Sequence, residues 1–330
     1  MKKNVLLTLL CTLICCASFA ASLQRTILSH KGNLTHYDVN HWTEAIADAV
    51  AGDTIFFTPG FFPGDATITK PITLIGAGVA ETDAFWYGRD GYGNACAGRG
   101  TTGQSTRISG SFYVSVEGNP TLTKNMFEGF ILNNDIVVSK SVRGLSIKRC
   151  QFRYFSKAEN SDAICTNLLL ESCSISSLGC GFMVDPDIHN CYIGQLYMEN
   201  NPLTIRNCSF ESISGATDCT FVNCINSAFD HHDSGANTYV NCTIKNFIYD
   251  NGSTYTNCWE HYYNNEAWAL TTTDLSSTGR IGDDGTVVGP LGGPAPFTLI
   301  PSQPYVSSSS LTYNKTTKKL NVNVTVKKGQ

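Results

Sequence analysis

Seven cysteines recur behind a similar residue at near-constant spacing: Arg149-Cys150, Ser172-Cys173, Asn190-Cys191, Asn207-Cys208, Asn223-Cys224, Asn241-Cys242 and Asn257-Cys258. The intervals are 23, 18, 17, 16, 18 and 16 residues. A period of this size marks a chain of stacked repeats, in which each repeat buries its apolar side only against its neighbours. Three residues before each Cys stand Ile147, Leu170, Ile188, Ile205, Phe221, Tyr239 and Tyr255. Two after it come Phe152, Ile175, Ile193, Phe210, Asn226, Ile244 and Glu260, and five after it Phe155, Leu178, Leu196, Ile213, Phe229, Phe247 and Tyr263. Such columns predict short strands whose inward side chains stack on the equivalent residue of the next coil.

The residue before the Cys has a backbone reason. Asn tolerates the left-handed region that a sharp corner between strands requires, and its amide can bond the Asn of the next coil. A small apolar thiol fits just inside that corner. A metal or redox role would favour Cys-x-x-Cys pairs, and none occurs. Disulfide geometry is demanding, so stacked thiols stay free on this reading. The pairing of Cys96, Cys165, Cys180 and Cys219 is left open.

The runs EAIADAVAGDTIFFTPG (44–60) and ITKPITLIGAG (68–78) resemble the opening coils of pectin-lyase-like right-handed parallel β-helix proteins. The Asn-Cys coils resemble the middle of the same fold. The resemblance spans roughly residues 38–270 and implies an all-β, right-handed, single-stranded parallel β-helix with coils of about 16–23 residues. It implies no one activity, because one fold hosts many. The hydrolase patterns on this fold include His-Gly and Arg-x-Lys, which are absent, and an Asp-Asp pair, which occurs only at Asp283-Asp284 in a Gly-rich stretch. A lyase would need a carboxylate cluster for calcium beside a Lys or Arg base. Arg143, Lys148, Arg149 and Arg153 lie close in sequence, without an acidic cluster on the same coils, and read as solvated outward positions.

Lys2, Lys3, the apolar run 5–14 and Ser18-Phe19-Ala20 read as a signal peptide over residues 1–20, and hence an exported protein of the periplasm, cell surface or medium. Leu13-Ile14-Cys15-Cys16 makes Cys16 a candidate lipid anchor. The apolar run is too short to span a bilayer comfortably, so the mature chain is not expected to be integral. Net charge is −4, and loss of Lys2 and Lys3 makes it −6. With no basic block in the body, a nucleic-acid partner is excluded. A monomer is expected.

The β-helix domain is expected over 21–290, with strands from Thr54. It opens on a short capping helix that places Trp42, Ile46, Ala49 and Val50 on one face and stops at Gly52. Residues 81–105 hold six Gly with Trp86, Tyr87 and Tyr92, which predicts a projecting loop whose aromatics are candidate sugar-binding residues. From Asp274 to Pro304 the period is lost. Leu311–Tyr313 and Leu320–Val326 then alternate like two strands, giving a β-hairpin-like appendage over 291–330.

The densest ionisable run is Asp230-His231-His232-Asp233. By the repeat alignment Asp230 follows the inward Phe229, and Asp250 aligns with His232 one coil later. Asp230, His232 and Asp250 are therefore the candidate acid–base residues. Asp230, His232 and Asp233 are the candidate ligands for a divalent cation, with calcium the candidate cofactor. Coils with few insertions leave little room for cleft walls. The expected function is binding or structural, directed at a polysaccharide, with a lyase or hydrolase of acidic polysaccharide as the alternative.

Overall fold

A computed structural model describes residues 24–79, 105–118, 121–122, 126–199, 201–226, 231–232, 236–245, 252–261, 279–298, 305–314 and 319–327. The chain is nearly all β, and its strands sort into long, mostly parallel sheets. From Val142–Arg143 to Ile225–Asn226, strands adjacent in sequence go to different sheets, and each pairs with its counterpart one repeat away. Among the described residues the first sheet has 12 strands, running from Asn33–Asp38 and Arg25–His30 through Thr54–Phe57, Thr73–Ile75, Phe127–Glu128 and Ser146–Lys148 to Thr254–Thr256. The second, again among the described residues, has 14, including Gln151–Lys157, Ser174–Gly179, Tyr192–Tyr197 and Ser209–Ser214. A third sheet of Val142–Arg143, Cys165–Thr166 and Met183–Val184 completes the middle repeats.

Pairing reproduces the columns read from the sequence. Ile147, Leu170, Ile188, Ile205, Phe221, Tyr239 and Tyr255 lie in one parallel register. The rings of Phe221 and Tyr239 stack at 5.0 Å, and those of Tyr239 and Tyr255 at 5.2 Å. Phe152, Ile175, Ile193, Phe210, Asn226, Ile244 and Glu260 form a second column. Each fully buried large side chain contributes about 1.5–3 kcal/mol, so one contiguous apolar core holds the stack together.

All seven residues before the ladder cysteines sit in the left-handed region, with φ between 48° and 55°, Arg149 and Ser172 among them. The corner therefore dictates the conformation whatever residue occupies it. The thiols are all free. The backbone N–H of Cys173 donates to Sγ of Cys191, that of Cys191 to Cys208, that of Cys224 to Cys242 and that of Cys242 to Cys258, each at 3.4 Å. Cys165, Cys180 and Cys219 are also free and buried, while Cys96 and residues 1–20 lie outside the described residues.

The N-terminal end is more elaborate than a helix alone. The helix Trp42–Asp48 buries Trp42, Ala45 and Ile46, and the Trp42 indole N–H donates to Pro63 O at 2.8 Å. Val50 falls beyond it and is exposed, so it does not share the buried face. Ahead of the helix, a hairpin of Arg25–His30 and Asn33–Asp38 turns through Lys31 and Gly32, both at positive φ, and pairs antiparallel with Thr54–Phe57. The strands thus begin at Arg25, not Thr54. The hairpin covers the edge of Thr54–Phe57 and leaves a polar strand outermost.

The Gly- and Pro-rich stretch is a strap. Residues 279–298 run back along the Asn corner from the Asn257 repeat to the Ser172 repeat. Asn223 Nδ2 donates to Asp283 Oδ1 (2.9 Å), and Gly289 N–H to Asn223 O (2.7 Å). Asn190 Nδ2 donates to Pro290 O (2.8 Å) and Gly292 O (2.6 Å), and Thr298 N–H reaches Ser172 Oγ at 3.4 Å. The amides of Asn190 and Asn223 thus bond the strap, where the sequence suggested a bond to the next Asn. Val288 packs on Ile225, and Phe297 on Val79, Ile131 and Tyr192. This cover is why the outward positions Gln151, Ser174 and Thr243 are fully buried. Beyond it, Tyr305–Asn314 and Lys319–Lys327 pair as an antiparallel hairpin with longer strands than the alternation suggested.

Candidate binding face

The second sheet bends between its two inward columns. Phe152 and Phe155 point inward with two residues between them, and so do Phe210 and Ile213. The intervening positions, and those just after the second column, make up the outer face. Across three neighbouring strands they are Ser176, Ser177 and Gly179; Gln195 and Tyr197; and Glu211, Ser212 and Ser214. Tyr197 is 42% exposed, and its hydroxyl donates to Gln195 Oε1 at 3.0 Å. One strand further on, the Arg153 guanidinium lies 4.7 Å above the Tyr154 ring. Burial pushes the Glu211 carboxyl up to about 7. The face is rich in hydroxyls, with one amide at Gln195, and carries exposed aromatic surface.

Of the residues singled out from the sequence, Asp230, Asp233, Asp250, Trp86, Tyr87 and Tyr92 lie outside the described residues. His231–His232 is a short strand, with His231 opposite Ile213 and His232 opposite Ser214. His231, not Phe229, takes the place after Ile213 in that column, and His232 is a paired strand residue, not part of a turn. Ile225–Asn226 pairs with Ser209–Phe210 and His231–His232 with Ile213–Ser214, so four residues separate the two pairings in this repeat where two separate them in the one before. Among the described residues no group of three or more His, Cys, Asp or Glu is placed to hold a metal ion.

No family model, curated protein or solved structure matches the chain.

Two further features escaped the sequence. Lys148 and Arg149 are not solvated outward charges. Arg149 pairs with the buried Glu128 at 2.9 Å and Lys148 with Glu171 at 3.0 Å, because Glu128, Lys148 and Glu171 share one register across repeats. Acid and base came from neighbouring repeats, so reading each coil separately hid the pairing. At the far end of the thiol ladder, Cys258 is half-exposed in a cavity of about 420 Å³ lined by Asn241, Asn257, Trp259 and Asp283. Hydrogen bonding from Cys242 lowers its thiol to about 7, whereas burial raises Cys150, Cys173, Cys191 and Cys242. No helix among the described residues is long and apolar enough to cross a membrane.

Proposed function

We propose that this is an exported, right-handed parallel β-helix of the pectin-lyase-like kind that binds an extended polysaccharide along its stacked strands without cleaving it. The observation that carries the reading is the outer face of the second sheet, with its exposed Tyr197 and its neighbouring hydroxyl and amide groups. Hydroxyl side chains recur there at the strand spacing of ~4.8 Å, with Gln195 and Tyr197 between them, which suits a polymer lying across the strands. Tyrosine supplies apolar area with a polar tip, the combination that suits a sugar ring. Intervals of only 16 to 18 residues between successive ladder cysteines from Cys191 to Cys258 leave little length for walls, which favours a scaffold over a catalytic cleft.

The test is affinity electrophoresis of the mature chain on galactomannan, laminarin and polygalacturonate, with a parallel assay for reducing ends and unsaturated products in the presence of calcium. Retardation without product release is expected. Product release that is lost on Asp230→Ala or His232→Ala would replace the reading with a lyase or hydrolase acting through those residues. Absence of both retardation and products would overturn the polysaccharide reading.

A further inference from the structure

The outer face of the second sheet holds a carboxyl group that has no donor among the described residues. Glu211 lies opposite Gly194, between the paired positions Phe210–Ile193 and Ser212–Gln195. It is half-buried, and no hydrogen bond or ion pair among the described residues reaches it. Losing water without gaining a donor disfavours the ionised form, which accounts for the raised carboxyl. Gly194 is needed opposite it: a Cβ there would meet the Ser176 carbonyl oxygen at 2.5 Å. The strand carrying Glu211 therefore runs beside bare backbone at that point.

On the neighbouring strand Gln195 is already oriented. Its Oε1 accepts from the Tyr197 hydroxyl, so its amide N–H groups are left to face solvent. The same bond steadies the exposed Tyr197 ring. Ser212 stands beside Gln195, and Ser214 beside Tyr197. Two adjacent strands thus present an aromatic face, an amide donor, an acceptor that lacks a partner among the described residues and two hydroxyls. The strands Tyr192–Tyr197 and Ser209–Ser214 contain no Lys or Arg. A uronate would meet the Glu211 carboxyl with no cation on these strands to offset the repulsion, whereas a neutral sugar would not.

We propose that Glu211, Gln195 and Tyr197 form a binding site for a neutral pyranose unit, whose ring packs on Tyr197 and whose adjacent hydroxyls bond the Glu211 carboxyl and the Gln195 amide. The proposal deepens the polysaccharide reading and rests on it. It commits the site to uncharged glycans and to residues away from Asp230–Asp233.

The experiment measures binding of galactomannan, laminarin and polygalacturonate to the wild type and to Tyr197→Ala, Tyr197→Phe and Glu211→Ala, with thermal melts of each. A neutral glycan should bind the wild type more tightly than polygalacturonate. Tyr197→Ala and Glu211→Ala should each weaken that binding about tenfold, the scale of one lost hydrogen bond or ring contact. Tyr197→Phe should retain most of it. Hydroxyl-radical footprinting of the wild type gives an answer independent of any variant: the neutral glycan should protect Tyr197. Binding that survives both alanine changes, with Tyr197 unprotected, would overturn this site while leaving the polysaccharide reading in place. Preference for polygalacturonate would overturn the ligand class, and no binding at all would overturn site and reading together.

Discussion

At the scale of single residues, the chemistry follows from where side chains meet the end or the edge of a column. Glu211 has its carboxyl raised from 4.5 to about 7 by burial. A raised folded value means that the unfolded chain gives up its proton first, so stability falls as pH climbs from about 4.5 to about 7. Glu211→Gln should remove that slope and gain about 1–3 kcal/mol over the wild type at pH 8, after allowance for its partial exposure. Chemical denaturation of both proteins at pH 5 and pH 8 checks this. Cys258 has the opposite environment: it ends a hydrogen-bonded file of thiols and is half-exposed. It should react with a disulfide reagent in the native protein, at a rate rising through pH 7, while the nine buried thiols among the described residues react only on unfolding. Peptide mapping after native labelling would identify the site. Labelling concentrated on Cys150 or Cys191 instead would mean that the ladder opens.

At the scale of elements, the Asn corner and the strap form one unit. A non-Gly residue in the left-handed region costs about 1–2 kcal/mol, which Asn bears better than Ala. The amide of Asn190 also bonds two carbonyls of the strap. Asn190→Gly keeps the backbone conformation and loses the bonds, whereas Asn190→Ala loses both. The expected destabilisation is about 1–3 kcal/mol for Gly and about 1–2 kcal/mol more for Ala, read from urea midpoints. The corner was legible in the sequence, because one backbone conformation selects one residue type at a fixed interval, and like stacks on like in every column beside it. The strap was not. Gly289 and Gly292 serve close approach, to Ile225 and to the Val287 carbonyl, and seen alone they read only as a loss of period. The N-terminal hairpin was hidden because RTILSH and NLTHYD pair with each other and with Thr54–Phe57 and take no part in the repeat. The candidate binding face was missed for a related reason. Its members have no column signature, and the two residues gained before His231 shift the count on which any alignment of Asp230 depends.

At the scale of the whole molecule, two kinds of connectivity coexist. Strand partners within the stack lie 16 to 23 residues apart for the ladder repeats, whereas the strap reaches back 100 residues from Pro290 to Asn190 and 126 from Thr298 to Ser172. Closing a longer loop costs more entropy and slows the step that needs it. Refolding from denaturant should show a fast phase, in which stack fluorescence and circular dichroism recover together, and a slower one. Gly289→Ala should slow the second and leave the first unchanged, because an added methyl at a positive φ would press on Ile225. A single phase for all probes would mean that the strap forms with the stack. The order also sets how the molecule yields to force. The last described bond of the strap, from Thr298 to Ser172, is the one nearest in the chain to the C-terminal hairpin, so tension applied through that hairpin loads the Thr298 bond first and the Asn190 bonds next. These bonds break in succession, as in a zipper opened from one end, and the strap peels away while the repeats beneath it stay paired.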